Sequence, residues 1–190
     1  MTIIRSSRAC LPVALLLACS TTASQHPPAA VASGAAEARC TRGTLEADIQ
    51  YGMPLSGPGV DPATGKLAAP PPAGYVVSST YLALKPGAAS AARFQQLLGP
   101  VIEELQRQPG LRAVQFSQSA ACGSTRTFTV WHDEAAMFAF VSGAAHGHAS
   151  GGIDEVSRGG SSVAHWKAAT LDEATWAYSA QRLAATTSEV

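Results

Sequence analysis

Three of the five histidines in this 190-residue chain fall inside one short stretch, VWHDEAAMFAFVSGAAHGHAS, as His132, His146 and His148. Imidazole changes charge near neutral pH and is the commonest metal ligand, so the stretch could move protons or hold an ion. His132 follows Trp131 at the end of a β-rich run, where side chains alternate; if Trp131 faces a cleft, His132 faces solvent. His146 and His148 stand two apart, which puts them on opposite sides of a helix but on one side of an extended segment. A metal would need a third protein ligand. The nearest offers, Asp154, Glu155 and His165, stand at no recognised spacing, so no metal site is expected. His146, close to Phe140, is left as the candidate for proton transfer, against the plainer reading of a helix-end histidine favoured by the helix dipole.

Four aromatic side chains offer a second kind of chemistry. Trp131, Phe128, Phe116 and Trp166 could together line an apolar cleft for a flat aromatic ligand, or could be plain core and dimer packing. His165 and Trp166 are adjacent on a strand, so only one of them can look into such a cleft. Other motifs fail on inspection. SGAAHG lacks the central serine of a nucleophile elbow, and SRGGSS has neither the preceding strand nor the lysine of a phosphate loop. Glu103 and Glu104 fall on the polar side of their helix and are expected to be solvated.

The elements that must position these residues are legible in the pattern. YVVSSTYLALKP, from Tyr75 to Pro86, is rich in β-branched and aromatic residues and reads as a strand. Phe94, Leu97, Leu98, Val101, Ile102 and Leu105 recur at three and four residues, a helix from about Ala88 to Gln108 that Pro100 should kink. Residues 111–120 and 125–132 read as two strands joined through Cys122 and Gly123, an antiparallel hairpin. Asp133 is an N-cap for a second helix through EAAMFAFVSGAA, whose far end is weakened by Gly143, Gly147, Gly151 and Gly152. Residues 161–170 form the last strand, and Asp172 starts a closing helix through Trp176. The order β-α-β-β-α-β is the split βαβ, ferredoxin-like arrangement of the α+β class, an antiparallel sheet with both helices on one face. A bare opposite face carrying Phe and Trp would be sticky in water, so two sheets facing each other in a homodimer are expected.

Composition sets the surroundings of this domain. Thirteen Lys and Arg balance thirteen Asp and Glu, leaving no basic field to attract nucleic acid. Arg5 and Arg8 precede an apolar run from Leu11 to Ala18, too short to span a bilayer and suited to an export signal. LLAC, residues 16–19, resembles the bacterial lipobox, which implies cleavage before Cys19 and lipid attached to it. The expected organisation is a lipoprotein signal over 1–18, an Ala/Pro/Gly-rich tether over 19–73 with room for a short strand near 44–50, and the folded domain over 74–190. This implies a bacterial envelope protein held to the membrane by lipid alone, on the periplasmic or outer face. Export also places Cys40 and Cys122 where disulfides persist; a bridge between them is expected, two separate thiols being the alternative.

The stretch from Pro109 to Ala149, with its Pro-Gly turn, a strand ending in Trp131, Asp133, the helical Phe140 and then His146, resembles the core of the dimeric α/β-barrel superfamily. The resemblance is to the antibiotic biosynthesis monooxygenase-like domains in particular, with Trp166 matching an aromatic on the last strand. It covers residues 75 to 170 and implies a dimeric α/β barrel. It further implies cofactor-independent oxidation of a small aromatic substrate held against Trp131 and Trp166, with His146 as the polar partner. In haem-degrading relatives of this fold a helical histidine ligates iron, which would make His146 the haem ligand. The other reading is a small-ligand or haem-binding lipoprotein of the same fold with no catalysis.

Overall fold

The structure is a computed structural model describing residues 40–186. The expected signal, Cys19 and the first part of the tether, residues 19–39, lie outside the described residues. Among the described residues, no helix is long and apolar enough to cross a membrane.

Five strands form one antiparallel sheet. They are β1 (Gln50–Tyr51), β2 (Tyr75–Leu84), β3 (Leu111–Ser119), β4 (Ser124–Trp131) and β5 (Ser157–Ala168), in the order β1-β3-β4-β2-β5. The helices are α1 (Ala88–Gln106), α2 (Glu134–Val141), α3 (Ala144–Gly151), the short α4 (Ile153–Val156) and α5 (Trp176–Ala184). From β2 to β5 this is the α+β ferredoxin-like plait, with the sheet open and not closed into a barrel within the chain. The β3–β4 turn depends on Gly123, whose φ of 55° is the left-handed conformation that glycine adopts without strain.

Several boundaries differ from the sequence pattern for physical reasons. β5 begins at Ser157, so its glycine-serine start, which reads locally as loop, is recruited by pairing with the far end of β2, where Leu84 faces Ser157 across a bulge. The second helix is not continuous. It stops at Val141, and Gly143 in extended conformation restarts the chain as α3. The closing helix is capped by Thr175, whose hydroxyl accepts from the Tyr178 N–H at 3.2 Å, and not by Asp172.

Register separates the residues of the sheet into two faces. Val76, Leu82, Val114 and Trp131 lie on the helix side, packed against Leu97, Leu105, Met137 and Phe140. Tyr75, Val77, Tyr81, Ala113, Phe128, Val130 and Trp166 lie on the other side. That second face was expected to be bare. It is covered by the chain's own flanks: Leu67 and Leu183 are buried in its cluster, with Leu55, Val60, Trp176 and Tyr178 packed around it.

The cover is fastened at several points. Cys40 and Cys122 are joined by a disulfide with their Cα atoms 5.3 Å apart. Arg126, on the covered face of β4, is buried and pairs with buried Glu46 at 2.8 Å. The remaining guanidinium donors of Arg126 go to the carbonyls of Thr41, Arg42 and Thr44, and its charge lies 4.6 Å from the centre of the Tyr81 ring. Ser179 on α5 bonds Ser79 in the middle of the sheet at 2.6 Å, and Trp176 donates to Gln115 at 2.7 Å. The described part of the expected tether, residues 40–73, is therefore a packed strap. Its two-residue strand at 50–51 pairs with β3, while Glu46, inside the expected strand region, serves Arg126 instead. The reason for expecting a twin, an uncovered sheet, is removed by these contacts.

Candidate functional site

On the helix side the sheet is not uniformly roofed. One apolar cluster gathers around Val76 and Trp131, and a separate one around Leu82, Leu97 and Val156. Between them runs a row across four strands, in register: Phe116, Thr127, Thr80 and Val163. All four are half-buried. Phe116 packs at the edge of the Trp131 cluster, and the Thr80 and Thr127 hydroxyls bond each other at 2.8 Å. The row presents one aromatic side chain, one aliphatic side chain and a hydroxyl pair on the helix side of the sheet.

His146 stands on the same side of the sheet. Trp131 is 1% exposed, donates its indole N–H to Thr129 at 2.9 Å and stacks on Phe140 with ring centres 5.4 Å apart. The edge of the His146 ring meets Phe140 at 5.2 Å between centres. Burial lowers the pKa of His146 below the ordinary imidazole value, opposed by the Glu104 carboxylate and by a hydrogen bond to the backbone of Val141. The net shift favours the neutral imidazole, the form that accepts a proton. Glu104 is not solvated as its helix position suggested. It is half-buried and accepts the Ala145 N–H at 3.0 Å.

The other sequence candidates are dispersed. His132 is exposed at the surface, 2.9 Å from Asp133, whose other oxygen caps α2 at Ala136. The Asp133 carboxyl is held below its usual pKa by that backbone bond and then by His132. His148 is exposed on α3, turned from His146 by helical geometry. His165 is exposed on β5 with Phe138 edge-on to it at 5.8 Å. Among the described residues no three His, Cys, Asp or Glu side chains converge as metal ligands.

The single aromatic cleft is corrected by the register. Trp131 and Phe116 are on the helix side, whereas Phe128 and Trp166 are on the strap side. Trp166 is buried, donates to the Glu173 carbonyl at 2.9 Å and packs on Tyr178 of α5. No substrate can lie against both Trp131 and Trp166, because the sheet stands between them. Of the His146 ring, the side toward Phe140 is occupied, and Phe140 in turn packs with Trp131 and Met137. Glu104 was missed by periodicity alone. Its signal was the start of α3, where Gly143 supplies no capping side chain and an acceptor must come from elsewhere.

Residues 76–151 match the model of the family described as antibiotic biosynthesis monooxygenase. That segment runs from β2 through α3 and contains Glu104, Trp131, Phe140 and His146; the strap and α5 lie outside it. No curated protein matches the chain. Among solved structures, it is similar to Rv0793 from Mycobacterium tuberculosis at 15% identity, covering 48% of this chain and 92% of that one with a TM-score of 0.44. A mutant of SnoaB, a cofactor-independent oxygenase from Streptomyces nogalater, is 18% identical, with coverage of 50% and 94% and a TM-score of 0.43. A conserved protein from Methanosarcina mazei Go1 is 13% identical, with coverage of 50% and 94% and a TM-score of 0.46.

Proposed function

We propose that this chain is an exported envelope lipoprotein, anchored through Cys19, whose antibiotic biosynthesis monooxygenase-like domain oxidises a small electron-rich aromatic without a nucleotide cofactor. The observation that carries the reading is His146, half-buried against Phe140, where burial favours the neutral ring, inside the segment that matches the monooxygenase family. The substrate lies on the strip between the two helix-side clusters, with its ring against Phe116 and a hydroxyl at the Thr80–Thr127 pair. His146 takes the proton that leaves the substrate, which makes the remaining anion electron-rich enough to react with dioxygen. The electrons come from the substrate itself. A ring CH2 becomes C=O, one oxygen atom of O2 enters the product, and the other leaves as water with the two hydrogens removed.

An oxygen electrode tests the chemistry with a panel of phenols and anthrones. The reading expects uptake that falls by about 100-fold or more in His146→Ala, the usual scale of a lost general base. Uptake unaffected by that substitution overturns the role of His146. Binding without uptake leaves a small-ligand lipoprotein with no catalysis. The anchor is tested separately, since Cys19→Ser should move the protein from the membrane fraction to the soluble fraction and abolish palmitate labelling.

A further inference from the structure

We infer that Glu104 is the positioning residue of this site: from α1 its carboxylate fastens the start of α3 and holds a negative charge beside the imidazole that α3 carries. The inference rests on the assignment of His146 above, but it stands on separate geometry.

α3 begins at Ala144 after Gly143, which makes no side-chain cap. The first N–H groups of a helix have no partner within it and need one from outside. Glu104 supplies it, accepting the Ala145 N–H across two elements. Gly143 leaves room for this reach. A Cβ built there would fall on Oε1 of Glu104, far inside contact distance, and within 3.0 Å of the Phe140 carbonyl oxygen. Ala145 immediately precedes His146, so the fastening sets where the ring stands.

The charge has a second effect. Burial makes the ring harder to protonate and therefore a weaker base, while the Glu104 carboxylate opposes that trend and stabilises the imidazolium formed when a proton arrives. Among the groups packed around the ring, α2 contributes Phe140 and the Val141 backbone, and α3 contributes the Ser150 hydroxyl at 3.5 Å; the charge acting on it is that of Glu104. The arrangement is that of a carboxylate whose charge acts on a histidine base from a helix cap.

Glu104→Gln keeps an oxygen that can accept from Ala145 and removes only the charge. In this variant NMR titration should place the His146 imidazole below its wild-type midpoint, with the melting temperature nearly unchanged. The acidic limb of any oxygen-uptake profile should move to lower pH by the same interval, with the neutral-pH rate reduced and KM retained. Gly143→Ala, which pushes the carboxylate aside, should shift the midpoint the same way, and Gly143→Ala combined with Glu104→Gln should add little to either alone. An unchanged His146 midpoint in Glu104→Gln overturns the inference. A shifted midpoint in a protein that consumes no oxygen supports the inference and removes the oxygenase reading instead.

Discussion

Cutting the disulfide gives the sharpest test of the strap. Cys40 and Cys122 are separated by 82 positions, so the bond closes a long loop in the unfolded chain. The loop-entropy relation for a closure of that length gives about 4–5 kcal/mol of stabilisation at 25 °C. For a domain of this size that corresponds to a fall in Tm of roughly 8–20 °C. The perturbation is Cys40→Ser with Cys122→Ser, which leaves no lone thiol, and the assay is urea unfolding followed by circular dichroism alongside the oxidised wild type. Wild type in reductant should fall to the level of the double variant. The buried contacts of residues 40–48, Glu46 with Arg126 above all, remain in both, so the difference isolates the covalent link. A loss below about 1 kcal/mol, or a wild type insensitive to reductant, would refute the loop-entropy contribution assigned to this bond.

Further outcomes follow from the same contacts. Arg126→Met leaves the Glu46 carboxylate buried and unpaired, so it should cost about 3–5 kcal/mol, whereas Arg126→Met with Glu46→Leu should recover the part due to the unpaired charge but not that of the Thr41, Arg42 and Thr44 carbonyls, in urea melts. With the disulfide intact the protein should sediment as a monomer at micromolar concentration, because Leu67, Leu183 and Trp176 already occupy the sheet face that a twin would need. Because the folded-state pKa of His146 is lowered, the unfolded chain binds more protons below the ordinary imidazole value, so stability should fall as pH drops from 7 through that range; His146→Gln should flatten this part of the profile. The loss belonging to Asp48 and Asp133, whose pKa values are also lowered, should appear only at lower pH, in the carboxylate range.

The plait was readable because each of its elements carries a local signal. The stripe from Phe94 to Leu105, the β-branched run after Tyr75 and the Asp133 cap all describe α1, β2 and the start of α2 within a few residues. What could not be read was tertiary in origin. Residues 40–73 have a loop-like composition, and nothing local shows that Glu46 meets Arg126, since a single buried pair across 80 positions has no period. Alternation along one strand correctly separates His165 from Trp166, but only the pairing register shows that Trp131 and Trp166 lie on opposite faces. The contact of His146 with Phe140 fits their closeness in one run, whereas the bond from the Ala145 N–H to Glu104 depended on the helix break at Gly143, which the alanine-rich run concealed.

The location of the site is tested most directly by NMR shift mapping with naphthol added to isotopically labelled protein. Perturbations should concentrate at Phe116, Thr80, Thr127 and Val163 on the helix side and at the His146 ring, with Trp166 and Trp176 undisturbed. Perturbations confined to the strap and α5, with the helix side silent, would contradict that location.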